Sequence, residues 1–138
     1  MVLGAGPAWA VEPPLPPQEL ERRSDLVTEV RVLDVVCTGY VPYGPKREGV
    51  RAAKYQAWLQ ILRVKKGKVG VGETVIVQWT EPEALRTGDW IVAYYPGEEV
   101  LAHLVWSPDE RVYSTTSWNA KSVLRGPTKG TELPKQCP

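Results

Sequence analysis

The sequence predicts a mainly β domain, arranged as an antiparallel barrel or sandwich. Three observations carry that expectation. Five or six short segments rich in β-branched and aromatic residues are separated by turns bearing glycine or proline. Helical periodicity is nearly absent. The alternation is also clean: across residues 54–64, Tyr55, Ala57, Leu59 and Ile61 share one face, while Gln56, Trp58 and Gln60 share the other.

The elements follow in order. Residues 1–10, MVLGAGPAWA, are apolar and uncharged and end in Ala8-Trp9-Ala10, the small-x-small pattern that signal peptidase cuts. They are expected to be the tail of a signal peptide cleaved after Ala10, the alternative being the N-terminus of a cytosolic chain. Residues 11–18 hold four prolines and form an extended leader. Pro17 can open a helix of about two turns, anchored by Leu20 and ending near Ser24. Residues 25–36 make the first strand, with Val30 and Val32 opposite Glu29 and Arg31, and a bulge or bend near Leu33 where the phase breaks. Residues 37–53 contain Gly39, Pro42, Gly44, Pro45 and Gly49 and are expected as a long loop.

After the alternating strand at 54–64, residues 73–79 place Val75, Val77 and Trp79 together, and residues 88–95 are apolar on both faces, as in a central strand. Residues 100–107 and 111–117 flank a turn at Pro108-Asp109-Glu110. Residues 118–124 are expected as one or two helical turns, and 126–138 as an irregular tail. One domain therefore spans 19–125, in keeping with a chain of 138 residues.

Composition narrows the function classes. With 43% apolar and 24% charged residues the chain is an ordinary globular one. Its net charge of +1 argues against nucleic acid or an anionic membrane surface as partner, since phosphate contacts demand a basic excess. No apolar run reaches the roughly 20 residues of a membrane helix. Cys37 and Cys137 belong to no C-x-x-C pair, which argues against a redox motif or a zinc knuckle. In an oxidising compartment they would form one disulfide pinning the tail to the body, with stabilisation of roughly 3–5 kcal/mol. In a reducing one they would be two thiols.

The stretch ILRVKKGKVGVGETVIV (61–77) has the lysines and glycines of a phosphate cradle but not the pattern of one. Its glycines give G-x-x-G-x-G, and a strand follows where a phosphate-binding loop would open a helix. It is a hairpin corner: glycine supplies positive φ, and Lys65, Lys66 and Lys68 deter edge pairing.

That corner belongs to a longer series: SDLVTEVRVLDV (24–35), YQAWLQILRVKKG (55–67), VGETVIVQW (71–79) and LRTGDWIVAY (85–94). Over about residues 19–106 the series resembles the netrin-like, or tissue-inhibitor-of-metalloproteinase-like, domains of secreted bacterial proteins. They share an opening SD-hydrophobic-V strand, a V-x-K-G strand end, a V-G-x-x-V-x-V strand and an L-x-x-G-D corner. The resemblance implies a five-stranded antiparallel Greek-key barrel of OB type, here with short N-terminal and C-terminal helical turns. Inhibitors of this kind chelate the protease zinc through an N-terminal cysteine. The first cysteine here is Cys37, well inside the chain, so that role loses its central residue.

No catalytic or metal site is expected, and no cofactor. His103 is the sole histidine and sits in a strand pattern; Asp89 and several serines could complete a triad only on paper, without a nucleophile motif. The carboxylate pairs Glu81/Glu83 and Glu98/Glu99 lie in turn-like, solvated contexts. Binding residues are better represented. Tyr40, Tyr43, Lys46 and Arg47 give the 37–53 loop the tyrosine-plus-cation character of protein interfaces. Trp58 and Trp79 could form an aromatic surface, or simply cover the barrel. The expected function is a non-enzymatic protein-binding module, secreted or periplasmic, such as an accessory subunit of an envelope or membrane-associated complex. The alternatives are a cytoplasmic OB-type binder of single-stranded nucleic acid and a protease-modulating protein.

Overall fold

The computed structural model describes residues 13–44, 49–84, 89–129, 133 and 137. The expected signal-peptide tail (1–10), Lys46 and Arg47 of the candidate loop, and most of the L-x-x-G-D corner lie outside these residues.

A helix α1 (Pro17–Arg23) opens the described chain, with proline in its first turn and Leu20 buried as its anchor. Glu19 pairs with Arg22 and Arg23 one turn on. Ser24 ends the helix, its Oγ donating to the Leu20 carbonyl at 2.5 Å. Among the described residues six strands follow: β1 (Leu26–Pro42), β2 (Arg51–Lys66), β3 (Thr74–Pro82), β4 (Glu99–Ser107), β5 (Val112–Thr115) and β6 (Lys121–Arg125).

β1 runs antiparallel to β2 from Val27↔Lys66 to Pro42↔Arg51, and β2 antiparallel to β3 from Gln60↔Thr74 to Ala52↔Pro82. On its other edge β1 pairs with β4, from Leu26↔Leu104 to Arg31↔Glu99. β4 continues to β5, and β5 meets β3 at a single pair, Val77↔Tyr113, so five strands form a ring with β6 outside it on β4. The β3–β5 contact is parallel, which corrects the expectation of a purely antiparallel sheet. The reason is parity: antiparallel alternation cannot close around an odd number of strands, and the one exception falls here. Inside the ring pack the alternating residues foreseen from sequence, among them Val30, Val32, Tyr55, Ala57, Leu59, Ile61 and Val77, joined by Tyr94 and Leu104.

Several boundaries move. β1 and β2 extend far into the 37–53 stretch, so the connecting loop shrinks to a tip bridged by Tyr43 N–H to the Val50 carbonyl at 2.9 Å. Gly39, with φ of 141°, sits at a register shift inside β1 rather than ending it. The break foreseen near Leu33 is also a register shift, between Val32 and Asp34. Residues 89–95 are not a strand, although Val92 and Tyr94 point into the core. Their backbone is met by side chains instead: the Tyr95 N–H donates to Glu98 Oε1 at 2.9 Å, and Lys121 Nζ donates to the Ala93 carbonyl at 2.6 Å. Residues 118–124 are not helical turns but run into β6, because β5 covers only Leu104–Ser107 of the β4 edge and leaves Glu99–Ala102 to be paired.

The corner at 67–73 is as foreseen: Gly67 and Gly72 adopt φ of 117° and 89°. Cys37 and Cys137 form a disulfide across a sequence separation of 100, with Cα atoms 5.1 Å apart. Leu133 and Cys137 pack on the core from the tail. Such a bond is compatible with an oxidising compartment. Among the described residues no helix is long and apolar enough to cross a membrane.

Candidate functional site

Past Val77↔Tyr113, β3 and β5 part, and residues 89–95 run beside the opening. Between that segment and β6 lies an open groove of about 530 Å³. Ile91, Val92, Ala93 and Tyr95 line it on the segment, Lys121 and Val123 on β6, and Trp118 and Glu81 complete the lining. The lining is largely apolar, and Val123 is the exposed aliphatic side chain in it, at 55%.

The electrostatics centre on three groups. Glu98 is only 2% exposed, and Lys121 Nζ lies 2.5 Å from its Oε1 and 5.2 Å from the ring centroids of Tyr94 and Tyr95. This corrects the solvated reading of Glu98: backbone turning at Pro96-Gly97 aims its side chain inward, where only a buried cation makes the charge tolerable. Glu81 differs. Burial raises its carboxyl above the ordinary range, and it has no ion-pair partner among the described residues. The Trp79 indole N–H is buried without a partner at hydrogen-bond geometry, but lies near enough to Glu81 to counter part of that rise. Burial, and then the charge of Glu81, also raise the hydroxyls of Tyr55 and Tyr95.

The sequence-predicted residues scatter around this end of the ring. Tyr40 lies on β1, with the Arg51 guanidinium 3.8 Å from its ring centroid, and Arg51 also pairs with Glu83. Together with Val41, Pro42 and Val50 they border a shallow hollow of about 420 Å³. Tyr43 donates its hydroxyl to Asp89 Oδ1 at 2.7 Å, tying the tip of the β1–β2 loop to the start of the 89–95 segment.

Trp58 and Trp79 do not form a common surface. Trp79 follows Val75 and Val77 inward, is 9% exposed, and stacks on Tyr55 at 5.5 Å between ring centroids. Trp58 faces outward over a separate hollow with Leu33, Asp34 and Thr74. Between them Gln56 of β2 bonds Gln78 of β3, and Gln78 and Lys54 both bond Glu110 of the β4–β5 turn.

His103 is a structural residue, its backbone N–H donating to the Ala120 carbonyl at 2.9 Å and its Nδ1 3.4 Å from the same oxygen. No group of three metal-ligating side chains converges among the described residues. Glu81, Tyr95, Trp118 and Lys121 were not singled out from sequence as a group. Tyr95 and Trp118 belong to the dense run of aromatic residues between 90 and 118, which says nothing of their meeting Glu81 and Lys121. Set against protein-family models, curated proteins and solved structures, the chain matches none.

Proposed function

We propose that this chain is a non-enzymatic protein-binding module of an extracytoplasmic compartment, secreted or periplasmic, serving as an accessory subunit of an envelope or membrane-associated complex. The observation that carries the reading is the groove beside β6. Its tyrosine and tryptophan walls and the exposed Val123 have the composition of protein interfaces, and Tyr40 with Arg51 adds a second tyrosine–cation patch at the same end. The disulfide supports the compartment.

The ring order supports a Greek-key barrel of OB type, and with it the netrin-like resemblance. A nucleic-acid role draws no support from the outer face of β2 and β3, where Lys54 is neutralised by Glu110. A protease-modulating role would have to work without an N-terminal cysteine.

Affinity capture from the native envelope fraction tests the proposal. The oxidised protein should recover a defined protein that Trp118→Ala and Val123→Lys variants fail to hold. Recovery of only ribosomal or nucleic-acid material, or equal recovery by all three forms, would overturn it.

A further inference from the structure

We propose that the groove between residues 89–95 and β6 receives an extended segment of the partner protein as an added strand, with a lysine or arginine of that segment paired to Glu81. The proposal rests on the protein-binding reading above and names the mode of binding.

Three independent features converge there. The first is backbone. Trp90, Ile91 and Val92 belong to no strand or helix, and none of their N–H or C=O groups makes a hydrogen bond among the described residues, although Val92 is buried. Buried backbone groups are paired in nearly every protein, so those of Val92 in particular are left for a ligand's main chain to meet. The second is the facing edge. Among the described residues β6 pairs only with β4, and beside its other edge the exposed Val123 lines the groove with Lys121, while Leu124 points to the opposite face. An extended peptide laid along such an edge gains main-chain hydrogen bonds, and the flanking hollows select alternate side chains.

The third feature is charge. Among the described residues Glu81 lines the groove without a cation, and the lysine that shares the lining is committed, Lys121 Nζ being held by Glu98 and the Ala93 carbonyl. A half-buried carboxylate beside Tyr95 suits an ammonium or guanidinium brought in by the ligand. A second copy of β6 would not serve. Antiparallel pairing of KSVLR with itself about Val123 sets Lys121 opposite Arg125, a like-charge contact.

Hydrogen exchange of the full oxidised chain, read by mass spectrometry, tests this with an array of ten-residue peptides. The peptides alternate polar and apolar positions and carry Lys, Gln or Glu at the centre. In the isolated protein the amides of Trp90, Ile91 and Val92 should exchange without protection. The best Lys-centred peptide should slow them, and those of β6, by about tenfold or more. Affinity should fall in the order Lys, Gln, Glu. Glu81→Gln should flatten that order and Glu81→Lys should invert it, while Val123→Lys should weaken every peptide. Amides already protected in the isolated chain would mean that its own segments or a second copy occupy the groove, and would overturn the proposal. So would an array in which no peptide confers protection, or a charge order that Glu81→Lys leaves unchanged. If an envelope protein is captured while these tests fail, the module still binds protein but not by strand addition.

Discussion

Replacing Lys121 with methionine keeps an unbranched stem in place and removes only the charge that faces Glu98. In the native protein the Glu98 carboxylate is 2% exposed and accepts two contacts through Oε1, from Lys121 Nζ at 2.5 Å and from the Tyr95 N–H at 2.9 Å. Removing the ammonium leaves a buried carboxylate with one neutral donor and strips the Ala93 carbonyl of its partner. Loss of one member of a buried pair costs about 3–5 kcal/mol, most of it the penalty for the charge left behind. Glu98→Gln should cost less, about 2 kcal/mol, because Lys121 keeps the Ala93 carbonyl and lies near two ring faces. The double variant should return to within about 1–2 kcal/mol of wild type, giving a coupling energy of at least about 2 kcal/mol. Urea unfolding of the oxidised protein reads this directly. With m near 2 kcal/mol per molar, Lys121→Met should move the midpoint down by roughly 1.5–2.5 M with m unchanged. A loss under about 1 kcal/mol for Lys121→Met, or strictly additive single variants, would show that water reaches Glu98 and that the pair is not the buried anchor described here.

Three further outcomes are expected. Cys137→Ser should lower stability by roughly 4–5 kcal/mol for a loop of about 100 residues, seen as a denaturant-midpoint shift that reductant reproduces in wild type; a shift near zero would refute the latch. His103 has its pKa lowered chiefly by burial, so below the unfolded value of 6.5 the unfolded chain takes up the proton before the folded one. Stability should therefore fall as pH drops from 6.5 through the lower folded pKa, and His103→Gln should flatten that part of the pH–stability curve. Gly67→Ala should cost about 2–3 kcal/mol, because its φ is 117° and the new Cβ would stand 2.8 Å from Leu26 Cδ1. Gly72→Ala, with φ of 89° but open space around it, should cost only about 1 kcal/mol, so equal thermal-melting losses would contradict the account of the corner.

What could be foreseen from sequence was local. Alternation grouped the faces of β2 and β3 that turn inward, though Trp79 was expected with Trp58 on a surface rather than inside, and the glycines at 67 and 72 marked the corner because positive φ has few other tenants. Glycine and proline misled where sheet pairing absorbed them. Gly39 lies within β1 at a register shift and Pro42 at its last pair, so punctuation that suggested a loop sits inside a ladder. Residues 89–95 have the pattern of a strand without the bonds of one, since periodicity reports burial and not pairing. The helical expectation at 118–124 failed because the part of the β4 edge left by β5 decides that segment's state. The groove was illegible for the same reason: Glu81, Tyr95, Trp118 and Lys121 are gathered by parity around a five-stranded ring, which no window of sequence displays.

The single Val77↔Tyr113 pair has a mechanical consequence. Every other junction of the ring is a multi-residue ladder, so this one acts as a clasp. Opening it would unroll the ring like a bracelet while leaving the β1–β2–β3 meander and the β4–β5 hairpin whole, since among the described residues it is the ring junction with the fewest paired residues. Residues 89–95, one wall of the groove, run beside that clasp. Anything that stitches the groove walls together would stiffen the entire ring from one point, and anything that springs the clasp would reshape the groove without touching it.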